Sequence, residues 1–176
     1  MDFGGGDEIR FDRIGRAGVV TLTRPKALNA LTHGMVKALA RALTAWAEDE
    51  SVALVVVRGE GRAFCAGGDI LDVYRSREEG REAHGFFADE YRMNTQLAAF
   101  PKPYVSLIDG IVMGGGVGIS CHGSHRVMTE NAVLAMPEVG IGFFPDVGGS
   151  YLLSRTRGSY GMYLALTGGR IRAGDA

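Results

Sequence analysis

The chain carries the segment Ala63-Phe64-Cys65-Ala66-Gly67-Gly68-Asp69-Ile70, in which the end of a strand is followed by two glycines and an acid at the start of a helix. Turns of this kind present backbone N–H groups that have no intrahelical partner, together with a partial positive charge. Such donors suit a developing oxyanion. The alternative is a plain tight turn in which Asp69 caps the helix. The segment alone leaves both interpretations open.

A second glycine-rich turn, Asp109-Gly110-Ile111-Val112-Met113-Gly114-Gly115-Gly116-Val117-Gly118, also lies between a buried strand and a helix. Its three successive glycines allow a ligand to approach the backbone closely. No glycine triple in this turn satisfies G-x-G-x-x-G, and it does not match the phosphate-loop motif G-x-x-x-x-G-K-[ST]. A nucleotide site is therefore disfavoured. Close packing of the helix on the strand is the alternative to a ligand site.

A third segment, residues 136–149, places Glu138 and Asp146 among apolar and backbone-bending residues. Burial near Phe143 and Phe144 would disfavour the charged carboxylates and raise their pKa values, and two nearby carboxyls would titrate as a coupled pair. One could accept a proton while the other donates one. The alternative is that both acids only cap backbone N–H groups of the loop.

The rest of the chain alternates strand-like and helix-like segments. An apolar stripe formed by Met35, Leu39, Leu43 and Trp46 predicts an amphipathic helix over residues 32–50. The other predicted elements are a hairpin (9–14 and 19–23), buried strands (53–57, 104–108, 126–129 and 133–136), a helix-prone stretch (69–99) and a short buried helix (117–121). This order favours a single α/β domain over residues 1–176. The last residues, 172–176, contain no capping element, so we expect the chain to be truncated at its C-terminal end.

Composition narrows the possible partners. Apolar residues make up 46% of the chain and charged residues 22%, which is typical of a globular protein. A net charge of −1 and the lack of a Lys/Arg run predict no binding to nucleic acid or to an anionic membrane. No apolar run reaches the roughly 18 residues of a membrane span. Cys65 and Cys121 match neither a zinc spacing nor a disulfide framework, so we expect no metal and a reducing, cytoplasmic compartment.

The three segments, preceded by Arg24-Pro25-Lys26-Ala27-Leu28-Asn29-Ala30-Leu31, together resemble the crotonase superfamily, also called the enoyl-CoA hydratase/isomerase family. The resemblance covers nearly the whole chain. It implies a crotonase-like (ClpP/crotonase) α/β fold, in which repeated ββα units form a spiral core. It also implies that the backbone N–H groups of Gly68 and Gly115 form an oxyanion hole for a thioester carbonyl. Bound CoA would be bordered by residues of two segments, namely Ala27, Leu28, Ala66, Gly67 and Asp69.

Within this superfamily, residues 86–91, 113–120 and 137–149 are similar to the 3-hydroxyisobutyryl-CoA hydrolases of valine breakdown. That similarity implies substrate contacts by Glu90, Gly115, Glu138 and Asp146. The implied reaction is thioester hydrolysis, in which Glu138 activates water or attacks the carbonyl, and Asp146 assists proton transfer or binds the substrate hydroxyl. Hydratases carry a second catalytic glutamate at the position of Gly118, so the resemblance disfavours hydration.

The same resemblance implies an acyl-CoA substrate and no separate cofactor. Family members are roughly twice as long as this chain, so a C-terminal helical part is expected to be missing. The family often forms trimers or dimers of trimers, and the compartment would be the mitochondrial matrix in a eukaryote. Two other functions stay open. One is an enoyl-CoA hydratase/isomerase-type enzyme of different specificity, and the other is a non-catalytic acyl-CoA-binding protein, if the chain is complete.

Overall fold

The computed structural model describes residues 1–78 and 83–176, which form two β-sheets surrounded by helices. The strands are β1 (Ile9–Ile14), β2 (Ala17–Leu22), β3 (Leu54–Gly59), β4 (Ala63–Cys65), β5 (Tyr104–Ile108), β6 (Ile111–Met113), β7 (His125–Met128), β8 (Val133–Ala135) and β9 (Ile171–Arg172). The helices are α1 (His33–Glu48), α2 (Ile70–Glu78), α3 (Ala83–Ala98), α4 (Gly115–Cys121), α5 (Gly149–Leu153) and α6 (Tyr160–Thr167). Short 3₁₀ turns cover Gly6–Glu8, Pro25–Ala27 and Glu138–Ile141.

From β3 to β8, consecutive strands enter different sheets. The first sheet has the order β1-β2-β3-β5-β7, and only β1 is antiparallel to its neighbour. The second sheet has the order β4-β6-β8-β9, with β9 antiparallel. The pairs β3/β4, β5/β6 and β7/β8 therefore each contribute one strand to each sheet. Helices α2 and α3 follow the pair β3/β4, and helix α4 follows the pair β5/β6. This arrangement confirms the predicted α/β fold of repeated ββα units.

Helix α1 anchors the core of the first sheet. Its side chains Met35, Leu39, Leu43 and Trp46 are each at most 1% exposed, as the apolar stripe predicts. The helix begins at His33 because Thr32 is its N-cap, whose hydroxyl accepts a hydrogen bond of 3.3 Å from the Met35 N–H. The predicted helix is confirmed, with ends that lie one or two residues inside the predicted range.

Several short elements escaped prediction. The predicted stretch 69–99 contains two helices, α2 and α3, and residues 79–82 between them lie outside the described residues. The strands β6 and β9 have three and two residues, which is too short for a hydrophobic period. In α6 the exposed side chains Met162, Tyr163 and Leu166 are apolar, so no single face of this helix stands out in the sequence.

The buried side chain of Asn29 joins the turn before α1 to the corner between β3 and β4. Its Nδ2 donates hydrogen bonds to the carbonyls of Glu60 (2.9 Å) and Ala63 (2.8 Å). Its Oδ1 accepts a hydrogen bond of 2.9 Å from the Arg24 N–H. Asn29 also adopts a left-handed backbone conformation with φ 56°, which asparagine tolerates better than most residues. One side chain thus holds residues 24–31 against the start of β4.

The substitution Asn29→Ala is expected to lower the free energy of unfolding by about 3 kcal/mol, because it removes the side-chain partner of the buried Ala63 carbonyl and of two part-buried backbone groups, the Arg24 N–H and the Glu60 carbonyl. Urea denaturation measures this change. The matched control is Asn131→Ala, which removes an exposed amide and should change the free energy by no more than about 0.5 kcal/mol. Equal effects of the two substitutions would contradict the anchoring role of Asn29.

Candidate active site

The first glycine turn is held by a short parallel bridge between Leu31 and Gly68. The Leu31 N–H donates to the Gly67 carbonyl at 2.8 Å, and the Asp69 N–H donates to the Leu31 carbonyl at 2.8 Å. In such a bridge the central residue directs its own N–H to the opposite side. The Gly68 N–H is therefore turned away from Leu31, towards the second glycine turn.

The second glycine turn starts helix α4 at Gly115, whose N–H lacks an intrahelical acceptor because it lies in the first turn. A β-carbon placed on Gly115 would lie 3.2 Å from the Gly68 nitrogen. Residues 67 and 115 are similarly close, since a β-carbon on Gly67 would lie 3.7 Å from the Gly115 nitrogen. The structure thus brings together the two backbone N–H groups that the resemblance implied as an oxyanion hole.

Three carboxyl groups surround this glycine pair. Glu90 on α3 is 2% exposed, and its Oε1 would lie 2.5 Å from a β-carbon on Gly115. Glu138 is 9% exposed, and its Oε1 would lie 2.8 Å from a β-carbon on Gly114. Asp146 accepts a hydrogen bond of 2.7 Å from the Tyr91 hydroxyl. The predicted residues Glu90, Glu138 and Asp146 therefore converge, although they lie on three separate segments.

Burial controls the protonation of these acids. It is the main cause that raises the pKa of Glu90 to about 8, and the charges of Asp146 and Glu138 add to it. Burial likewise raises the pKa of Glu138 to about 7, with a further contribution from Asp146. The pKa of Asp146 is also raised by burial, while the hydrogen bond from Tyr91 opposes the rise. Since the groups interact, they titrate as a set. The raised pKa values agree with the sequence-based prediction for residues 138 and 146.

The two glycine turns and the three carboxyl groups line one cavity of about 510 Å³. Its polar lining includes the carboxyls and the two glycine turns, whereas its apolar wall includes the rings of Phe86, Phe87 and Phe143. Phe87 contacts Phe143 at 5.8 Å between ring centroids, so the segment after Glu138 packs directly against α3. The combination of apolar walls with a few convergent polar groups is typical of a small-molecule site.

A second cavity, of about 610 Å³, lies beside the first and shares Gly68 and Ile70 with it. Its lining includes Ala27 and Asp69, whereas Ala66 and Gly67 line the first cavity. Leu28 lines neither of the two, and its carbonyl accepts a hydrogen bond of 3.0 Å from the Ala66 N–H. The residues implied as the CoA border are thus divided between two adjoining cavities and the backbone contact that joins them.

Asp69 has a structural role as well. Its Oδ1 accepts a hydrogen bond of 3.2 Å from the Asp72 N–H in the first turn of α2, which is the cap that the alternative interpretation predicted. Its Oδ2 accepts a hydrogen bond of 2.9 Å from Arg24. The sequence analysis did not single out Arg24, although this residue begins the segment 24–31 on which the resemblance rests.

Gly118 has no room for a side chain. A β-carbon at this position would lie 2.9 Å from both the Asn94 amide nitrogen and the Val147 Cβ. The Asn94 amide is buried, and neither its nitrogen nor its oxygen has a hydrogen-bond partner among the described residues. Neither Asn94 nor Tyr91 was singled out from sequence. The available signal was their position relative to Glu90, since Tyr91 directly follows Glu90 and Asn94 lies four residues after it. A glutamate could not occupy position 118 without displacing this packing.

The remaining polar candidates have structural partners. His33 pairs with Asp89 at 2.7 Å, and His122 Nε2 lies 2.7 Å from the Val147 carbonyl. Cys65 is buried, and desolvation raises the pKa of its thiol to about 12, so it is a poor nucleophile. Among the described residues, no group of three or more His, Cys, Asp and Glu side chains could hold a metal ion. Nor does any described helix have the length and apolar character needed to cross a bilayer.

The chain is similar to known proteins of one family. Residues 17–176 match a family described as enoyl-CoA hydratase/isomerase. The mitochondrial 3-hydroxyisobutyryl-CoA hydrolase of Danio rerio is 49% identical over 172 residues, which are 97% of this chain and 45% of that protein. The corresponding protein of Xenopus tropicalis is 52% identical over 170 residues, or 96% and 44% of the two chains. The chain spans less than half the length of these curated relatives.

Solved structures give the same result. An enoyl-CoA hydratase from Rhodobacter sphaeroides 2.4.1 has a TM-score of 0.92 at 50% identity, over 96% of this chain and 51% of that one. A carnitinyl-CoA dehydratase from Mycobacterium thermoresistibile has a TM-score of 0.93 at 52% identity, over 97% and 51% of the two chains. These similarities extend over both sheets and the candidate site. The chain belongs to the enoyl-CoA hydratase/isomerase family, the crotonase superfamily, and has its fold.

Proposed function

We propose that the chain contains the thioester-cleaving site of a CoA-thioester hydrolase, with 3-hydroxyisobutyryl-CoA as the preferred substrate. The observation that carries this proposal is the convergence of Glu90, Glu138 and Asp146 on the paired glycines Gly68 and Gly115. Relatives that are about 50% identical are named 3-hydroxyisobutyryl-CoA hydrolases, which supports the choice of substrate. Because the chain spans less than half of those proteins, the activity of this chain alone is part of the proposal.

The proposed oxyanion hole acts on the thioester carbonyl. The N–H groups of Gly68 and Gly115 donate to the carbonyl oxygen, which becomes negatively charged when the carbonyl carbon is attacked. Donors that are fixed by the backbone need no reorganisation during the reaction, so they favour the transition state over the ground state. The CoA part is proposed to lie along the two adjoining cavities, bordered by Ala27, Ala66, Gly67 and Asp69. Leu28 belongs to this border through its backbone contact with Ala66.

Ionised Glu138 is proposed to provide the base. In the water route it removes a proton from a water molecule, the oxygen of that water bonds to the carbonyl carbon, and the C–S bond of the tetrahedral intermediate then breaks. Protonated Glu138 returns the proton to the departing CoA sulfur, which leaves as the thiol. In the alternative route Glu138 attacks the carbonyl itself, the C–S bond breaks, and CoA leaves as the thiolate. Water then hydrolyses the mixed anhydride, which releases the carboxylic acid and regenerates Glu138. Both routes require the ionised form of Glu138.

Asp146 and Glu90 are proposed to bind the acyl part. Asp146 assists proton transfer or accepts a hydrogen bond from the substrate hydroxyl. Glu90, whose raised pKa favours the neutral form, can donate a hydrogen bond near the oxyanion position. No further cofactor is proposed, since each proton and bond change is assigned to these side chains, water and the thioester.

Enoyl-CoA hydration is the second candidate, because the similar solved structures carry the names hydratase and dehydratase. Addition of water to a double bond calls for a second acid/base group, and the packing of Asn94 and Val147 on Gly118 leaves no space for it there. The geometry therefore favours hydrolysis. A chain that binds acyl-CoA without turnover is the third possibility that an assay must separate.

Assembly and compartment are proposed by analogy with the relatives. The named curated relatives are mitochondrial, so a matrix location is proposed for a eukaryotic source and a cytoplasmic one for a bacterial source. A homo-oligomer, trimeric or a dimer of trimers, is proposed from the family resemblance. Gel filtration with light scattering measures the assembly.

The substitution Glu138→Gln is expected to reduce release of CoA thiol from 3-hydroxyisobutyryl-CoA by at least about a hundredfold, because it removes the base. A thiol reagent measures the release, and hydration of crotonyl-CoA is followed in parallel. The matched control is Glu130→Gln at an exposed position, which should leave the rate unchanged. Hydration without hydrolysis would contradict the proposal. Binding without either reaction would identify a non-catalytic acyl-CoA-binding chain.

The rate of hydrolysis is expected to rise as the pH passes through about 7, where Glu138 ionises, and to fall above about 8, where Glu90 loses its proton. The base must be ionised, and the pKa of Glu138 is raised to about 7, so the active fraction grows as the pH passes through that value. The pH profile of kcat/KM for the free enzyme measures this. A rate that falls as the pH rises through neutrality would contradict the assignment of Glu138 as base.

A further inference from the structure

Tyr91 connects two sides of the candidate site. It follows Glu90 on α3, and its hydroxyl donates a hydrogen bond of 2.7 Å to Asp146 Oδ2 on the loop before α5. Its ring lies 6.3 Å from that of Phe87, which itself contacts Phe143 on the same loop. The hydroxyl is thus supported by its helix and by neighbouring rings, and it reaches a carboxylate that lies on a different element.

The three carboxyls of the cavity differ in their hydrogen-bond partners. Among the described residues, Glu90 Oε1 and Glu138 Oε2 are buried without a partner, whereas Asp146 receives a side-chain donor. A donor stabilises the charged form of a carboxyl, whereas burial without a donor favours the neutral form. The hydrogen bond from Tyr91 therefore favours Asp146 as the carboxyl that stays ionised when the three groups cannot all carry a negative charge.

We infer that Tyr91 is a positioning residue that keeps Asp146 ionised and turned into the cavity, so that Glu90 retains its proton. This inference rests on the proposed function and assigns the division of charge that it requires. Three carboxylates within one apolar cavity repel each other, so fixing one charge at Asp146 raises the cost of ionising Glu90. The neutral Glu90 remains available as a hydrogen-bond donor beside the oxyanion hole.

The groups that face Asp146 are known from the structure. Glu90 comes from α3, Glu138 from the 3₁₀ turn 138–141, and Tyr91 again from α3. The first two carry or gain negative charge, so they oppose the ionisation of Asp146. Tyr91 supplies the side-chain donor that acts against them. Tyr91 is 37% exposed, so solvent screening weakens this effect, and a moderate change is expected when the hydroxyl is removed.

The direct test compares the whole chain with its Tyr91→Phe variant by NMR of aspartate labelled with ¹³C at the carboxyl. The resonance of residue 146 is assigned from Asp146→Asn. Loss of the hydroxyl is expected to raise the pKa of Asp146, so the group stays protonated to a higher pH. Tyr163→Phe is the matched control, since this tyrosine is exposed and lies on α6. If Asp146 titrates in Tyr91→Phe as in the unaltered chain, the inference is wrong.

Kinetics give a second readout. In Tyr91→Phe the kcat for thioester hydrolysis is expected to fall about fivefold with little change in KM, and both sides of the pH profile should move to lower pH, because a less ionised Asp146 raises the pKa values of Glu138 and Glu90 to a smaller extent. An unchanged profile would overturn the inference, even if kcat fell, because a purely structural defect lowers the rate at every pH. If the unaltered chain releases no CoA, the proposed function fails, whereas the NMR titration still decides the role of Tyr91.

Discussion

The close approach of two glycine turns is the constraint on which the site depends. Residues 67 and 68 lie directly against residues 114 and 115. The neighbouring position is equally tight, since a β-carbon on Gly116 would collide with the Cys65 carbonyl. Gly67 also has φ 115°, a conformation that strains any other residue. This proximity arises because β4 and β6 are parallel neighbours in the second sheet, so the turns that follow them meet at the same edge. The sheet topology therefore creates the pair of backbone donors.

The acids gain their chemistry from the same packing. Helix α3 places Glu90 against Gly115, and the segment after β8 places Glu138 against Gly114. A buried carboxyl oxygen without a partner costs free energy, which the fold tolerates because the core around α1 supplies extensive apolar burial. This cost raises the pKa values towards neutrality, where proton transfer is most effective. The same desolvation thus reduces stability and supports the proposed catalysis.

Much of this arrangement could be predicted from sequence, because the decisive features are local. The glycine clusters, the Met35-to-Trp46 stripe and the strand at 104–108 each have a period or composition that indicates structure. The prediction of the three carboxyls near the glycine pair depended on family resemblance. Their convergence on one cavity agrees with it, whereas their roles in the reaction remain proposals.

What could not be predicted depends on contacts between distant segments. The bond between Tyr91 and Asp146 joins residues 55 positions apart, and no sequence pattern marks it. The packing of the Asn94 amide beside Gly118 is also a contact between distant segments, and no sequence pattern marks it. The strands β6 and β9 were missed because two or three residues carry no period. Helix α6 was missed because its exposed apolar side chains hide its face.

The most direct measurement of the central claim is the ¹³C NMR shift of the thioester carbonyl in 3-hydroxyisobutyryl-CoA, labelled at that carbon and bound to the Glu138→Gln chain. If the Gly68 and Gly115 N–H groups donate to the carbonyl oxygen, they polarise the C=O bond, and the resonance should move downfield on binding. A bound thioester whose carbonyl resonance stays at the position of the free compound would contradict the oxyanion hole.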